Sequence, residues 1–199
     1  CTIVVPPNVN MGLPMNRIKI AALLIALASC VVTDDSIKNV ETLKVGMSTG
    51  IVQGYLSDSA TDVVAWDDIP FAQPPVGDLR WRATRPLTAA NQIIRSKDDT
   101  ACVQKASDYG GVSGEGIVGS EDCLYLDVKA PADFKDKNYP VMFWIHGGGN
   151  TTGLKDFYDY SRLVASRDVV VVSTNYRLGG LGWFSHPAIQ ARQEGEDKS

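Results

Sequence analysis

The residues best suited to chemistry in this sequence are three consecutive glycines, Gly147-Gly148-Gly149, preceded by His146 and standing directly behind the apolar run Val141-Met142-Phe143-Trp144-Ile145. Without a Cβ, such residues let the backbone turn with its N–H groups outward and let a substrate oxygen come close. Amides presented in that way can stabilise the oxyanion of an acyl-transfer intermediate, each donor contributing about 2.7–4 kcal/mol. A tight structural turn remains the competing reading on glycine content alone. A dinucleotide loop fails in register, because its third small residue would fall at Thr152. A P-loop fails because no Gly-Lys-Ser/Thr closes the run. A second motif, Gly46-Met47-Ser48-Thr49-Gly50, spells the G-x-S-x-G nucleophile elbow. The elbow needs a buried strand before the serine and a helix after it. Here an irregular polar stretch precedes and the strand-like Ile51-Val52 follows, so Ser48 is not read as a nucleophile. His146 and His186 are the only histidines, which argues against a multi-His metal site.

The elements around the glycine run must position it. Val141 to Ile145 reads as a strand covered on both faces. Phe157, Tyr160, Leu163 and Val164 follow at helical spacing. Val169-Val170-Val171-Val172 then gives a second buried, β-branched run. Strand, glycine turn, helix and strand make a βαβ unit, hence a parallel sheet covered by helices and an α/β class. Upstream, Gly50 to Leu56 reads as a short strand. The prolines between Trp66 and Trp81 predict an extended surface loop rather than helix or central strand. The 199 residues are 44% hydrophobic, 21% charged and 8% aromatic, a globular profile that excludes disorder, collagen and coiled coil. A formal net charge of −4 leaves no basic face for nucleic acid. Four cysteines permit one staple but do not make a disulfide mini-protein.

The start of the sequence carries a targeting pattern. Residues 1–14 read as an upstream extension. Residues 15–29 combine the basic Asn16-Arg17-Ile18-Lys19, the apolar run Ile20 to Leu27 and small residues, which is the layout of a secretory signal. Leu27-Ala28-Ser29-Cys30 resembles the bacterial lipobox, in which Cys30 would be acylated and become an N-terminus anchored to the membrane without spanning it. Cleavage after Ala26-Leu27-Ala28 and simple secretion is the competing reading. Residues 30–44 read as a tether. The expected location is the periplasm or a membrane surface, or the medium if no anchor is attached.

With the glycine run included, four motifs occur in the order found in one family. His146-Gly147-Gly148-Gly149 resembles the oxyanion motif of α/β-hydrolase esterases. Ser120-Glu121-Asp122-Cys123-Leu124-Tyr125-Leu126-Asp127-Val128 resembles the type-B carboxylesterase signature, in which Asn is commoner than Asp127. Ile69 to Trp81 and Asn175-Tyr176-Arg177-Leu178-Gly179 are similar to two further segments of that family. The resemblance to the carboxylesterase/cholinesterase family runs from Gly46 to about Pro187. It implies an α/β-hydrolase sheet, a small carboxylic-ester substrate, no metal or organic cofactor, and oxyanion donors at the Gly148 and Gly149 amides. It implies a disulfide between Cys102 and Cys123. It also implies that residues 45–199 are the N-terminal part of the domain, with the catalytic Ser, acid and His coming later and this segment inactive alone. Cholinesterases place a Trp inside the disulfide loop to hold a quaternary ammonium. Here the loop's only aromatic is Tyr109, which argues against choline specificity. Asp67-Asp68 stand where the family often shows a basic residue and Gly, and read as a solvated acidic turn. Asn150-Thr151-Thr152 spells a glycosylation sequon and is read as chance in a bacterial lipoprotein. A non-catalytic, cholinesterase-like adhesion or binding module is the alternative function, because fold alone does not guarantee activity.

Overall fold

The computed structural model describes residues 43–197 apart from 90 and 98. The signal, Cys30 and the tether up to residue 42 lie outside the described residues. The last two tether positions do not behave as a linker. Leu43 is buried, and Lys44 opens the first strand, β1 (Lys44–Met47). Next come β2 (Gly50–Gln53), β3 (Tyr55–Leu56), β4 (Val63–Pro70) and β5 (Ile93–Ile94). They are followed by β6 (Gln104–Ser107), β7 (Val112–Val118), β8 (Tyr125–Pro131) and β9 (Val141–Ile145). Helix α1 (Ser161–Arg167), strand β10 (Val170–Thr174) and the single turns α2 (Gly179–Gly182) and α3 (Pro187–Gln190) complete the order.

The main sheet has five strands in the order β3-β4-β8-β10-β9. β9 and β10 run parallel, Val170 beside Val141 and Thr174 beside Ile145, with α1 in the connection. The βαβ unit is therefore present. The rest of the sheet is not parallel, since β8 pairs antiparallel with both β10 and β4. One face carries Val63, Val164, Val169 and Val171, with α1 packed on it. A second cluster, Val52, Val64, Trp66, Ile69 and Ala130, joins the β1-β2-β5 sheet to β4 and β8.

Five expectations change. Gly50 to Leu56 is not one strand but two in different sheets, broken at Gly54. A Cβ there would stand 2.5 Å from the Trp66 indole nitrogen, so the chain must pass with no side chain. Trp66 to Pro70 is not loop but the buried second half of β4. Pro70 is tolerated as the strand's last residue, and Asp67-Asp68 form a bulge between the Trp66–Val128 and Ile69–Leu126 pairs. Asp68 is buried with φ 56°, so the acidic pair is not a solvated turn. Phe157 and Tyr160 precede α1 rather than belong to it. Finally, β9 is not covered on both faces among the described residues. It is an edge strand, and Val141, Phe143 and Ile145 are 63%, 58% and 62% exposed.

Candidate active site

The glycine run leaves the end of β9 and turns immediately. Gly148 has φ 113° and Gly149 φ 61°, the left-handed side of conformational space that favours glycine. A Cβ on Gly148 would meet the Thr152 carbonyl oxygen at 2.0 Å. The Gly148 carbonyl is occupied within the turn, accepting from the Thr151 and Thr152 amides at 3.1 and 3.2 Å and from the Thr151 hydroxyl at 3.0 Å. Among the described residues, nothing accepts a hydrogen bond from the amides of Gly148 or Gly149, and both residues are exposed. The Gly148 carbonyl is therefore committed within the turn, and the two amide donors are not.

The surrounding elements hold that turn. The His146 ring is buried and stacks on Tyr176 at 4.3 Å between centroids. The Tyr176 hydroxyl donates to the His146 carbonyl at 2.9 Å. His146 Nδ1 lies 2.9 Å from the Gly147 carbonyl. A carbonyl only accepts, so Nδ1 carries the proton in that contact, and burial lowers the ring's pKa in favour of the neutral imidazole. Gly153 passes under the same ring, where a Cβ would stand 1.9 Å from Nδ1. Its amide donates to Gln104 Oε1 and its carbonyl accepts from Gln104 Nε2, both at 2.9 Å. On the far side of the turn, the Gly179 amide donates to the Asn150 carbonyl at 2.7 Å. Gln104 stands at the foot of the β6–β7 hairpin, inside the loop closed by a disulfide between Cys102 and Cys123. Sequence reasoning passes over Gln104, because nothing in its local text distinguishes it from a surface glutamine.

The two remaining sequence candidates sit elsewhere. Ser48 lies in the turn joining β1 to β2, with no helix behind it. His186 is exposed and caps α3, its Nδ1 accepting from the Ala188 amide at 3.1 Å.

Sequence reasoning also misses a buried charge cluster two residues past Gly153. Lys155 Nζ lies 2.9 Å from Asp68 Oδ1, 2.9 and 3.0 Å from the two Asp127 oxygens, and 2.6 Å from Asp156 Oδ1. Burial pushes the Lys155 ammonium down, but the Asp127 and Asp156 carboxyls more than reverse that, leaving its pKa above the ordinary lysine value. Burial, aided by Asp156, raises the Asp127 carboxyl above its ordinary value despite Lys155. Burial also works against ionised Asp68, yet the Lys155 contact outweighs it and holds that carboxyl below its ordinary value.

Residues 41–192 match the model of the carboxylesterase family. The chain is 40% identical over 155 residues to the pyrethroid hydrolase Ces2e of Rattus norvegicus, covering 72% of this chain and 27% of that protein. It is 40% identical over 144 residues to the fumonisin B1 esterase of Sphingopyxis macrogoltabida, covering 71% and 25%. Among solved structures, a thermophilic pNB esterase superposes with a TM-score of 0.64 at 35% identity, covering 77% of this chain and 32% of that one. The chain thus spans about a quarter of the length of these curated relatives. On the matched segment and on the α/β-hydrolase fold it shares with the esterases, the chain belongs to the carboxylesterase family.

Proposed function

We propose that this chain supplies the oxyanion-binding segment of a serine hydrolase that cleaves small-molecule carboxylic esters through an acyl-enzyme. The observation that carries the reading is the pair of exposed, uncommitted amides at Gly148 and Gly149, on a turn closed by hydrogen bonds to the Gly148 carbonyl. In the reaction, a serine hydroxyl adds to the ester carbonyl while a histidine takes its proton. The carbonyl oxygen becomes an oxyanion, and the Gly148 and Gly149 N–H groups donate to it. The carbon–alkoxy bond then breaks, and the alcohol leaves with the proton from the histidine. Water repeats the sequence on the acyl-enzyme and releases the acid.

Neither histidine described above suits the role of base. His146 is buried in its stack, and His186 is tied to the cap of α3. Nucleophile and base are therefore assigned to polypeptide beyond these residues, and the 199-residue chain alone should not hydrolyse p-nitrophenyl acetate above a heat-inactivated control. A protein carrying this segment at the length of its relatives should hydrolyse it. Binding of esters without turnover by that longer protein would instead identify a cholinesterase-like binding module.

We also infer export with a lipid anchor at Cys30. The Met15 to Cys30 pattern supports it, as does the Cys102–Cys123 disulfide, a bond that persists in oxidising compartments. Palmitate labelling of the expressed protein should vanish in Cys30→Ala, and labelling that survives the substitution refutes the anchor.

A further inference from the structure

Lys155 is the largest fully buried side chain among the described residues, and its position ties three elements together. Its backbone amide donates to Asn175 Oδ1 at 2.8 Å, just past the end of β10. Asn175 Nδ2 donates in turn to the Thr100 carbonyl at 2.8 Å. Its ammonium reaches Asp68 in the bulge of β4 and Asp127 in β8. Those two acids are themselves linked, because the Asp68 amide donates to Asp127 Oδ1 at 2.9 Å. Two acidic groups buried side by side repel when ionised, and a cation between them removes that conflict. The three residues form one unit, and it sits two residues beyond the glycine whose backbone carries the His146 ring and the Gln104 amide.

We propose that Lys155, held by Asp68 and Asp127, is a positioning residue for ester hydrolysis. It pins the C-terminal end of the 147–153 turn to β4 and β8, as the His146–Tyr176 stack pins the N-terminal end. The Gly148 and Gly149 amides are thereby kept aimed away from the protein. The proposal rests on the oxyanion reading of those amides, but the clamp itself can be tested without turnover.

Three forms decide the matter: wild type, Lys155→Met, and the triple variant Asp68→Asn, Asp127→Asn, Lys155→Met. Lys155→Met strands two acids and is expected to lower the unfolding midpoint. The triple variant removes the stranded charge and is expected to regain most of that midpoint. Hydrogen exchange of the amides between positions 147 and 153 should be roughly tenfold faster in both variants, while β10 amides of the triple variant match wild type. In the full-length protein, the triple variant should lose roughly tenfold to a hundredfold in kcat at nearly unchanged KM. A triple variant with wild-type loop exchange overturns the clamp, since a role confined to stability is rescued with the stability. A full-length wild-type protein that turns over no ester sinks the functional reading alone, and loop exchange still decides on Lys155.

Discussion

Gly148 is constrained by both conformation and space. With φ 113° and the Thr152 oxygen 2.0 Å from any Cβ, Gly148→Ala must reopen the turn that Thr151 and Thr152 close on the Gly148 carbonyl. The loss of one oriented donor is expected to cost about 10²–10³ in kcat of the full-length enzyme, with little change in KM, measured by steady-state ester hydrolysis. Gly149→Ala meets open space and suffers only from φ 61°, so its penalty should be the smaller of the two. Asp127 makes a different kind of prediction. Burial and Asp156 raise its folded pKa above the ordinary value of 3.8, so just above that value the folded chain holds a proton that the unfolded chain has released. Stability from this group is therefore complete below about 4 and declines as pH rises past it. The urea midpoint of wild type should fall as pH rises from about 4, and Asp127→Asn should flatten that fall. A midpoint equally steep in the variant would assign the slope to another group.

Among the elements, the β6–β7 hairpin connects the disulfide to the glycine turn. Gln104 and Gly110 both touch the 152–153 backbone or its Thr152 side chain, and a Cβ on Gly110 would stand 2.4 Å from Thr152 Oγ1. The Cys102→Ser, Cys123→Ser pair should lower unfolding free energy by about 3 kcal/mol, read from denaturant curves at matched redox conditions. Unchanged stability would show that the hairpin is held by its other contacts. Which elements could be read from sequence follows from how each one signals. The β9–turn–α1–β10 unit was legible because its apolar runs and glycines are local signals. The second half of β4 was not, because it runs into the proline-rich stretch that follows, and only the pairing with β8 shows that Pro70 ends the strand while Asp67-Asp68 bulge out of register. The Gly148 and Gly149 turn could be found from composition and family resemblance. Gln104 and Lys155 could not, since their roles depend on partners 49 and 28 residues away in the chain.

At the scale of the molecule, the same β9 run that reads as a buried strand carries the largest mismatch between sequence and surroundings. It lies at the edge of the five-stranded sheet with Val141, Met142, Phe143 and Ile145 exposed, and its outer backbone groups have no strand beside them among the described residues. Edges of this kind recruit other strands, and contiguous exposed apolar groups recruit apolar surface. In a protein of the relatives' length, further polypeptide is available to cover the edge, and the chain spans only 27% and 25% of the two relatives compared above. The chain expressed by itself should therefore bind a hydrophobic dye strongly and self-associate in sedimentation velocity, in proportion to concentration. Phe143→Lys places a charge in the middle of the exposed edge, opposite Val172 of β10. It should shift the population toward monomer while leaving the far-ultraviolet circular dichroism unchanged. A wild-type chain that stays monomeric and dye-silent would show that the exposed β9 edge does not drive association.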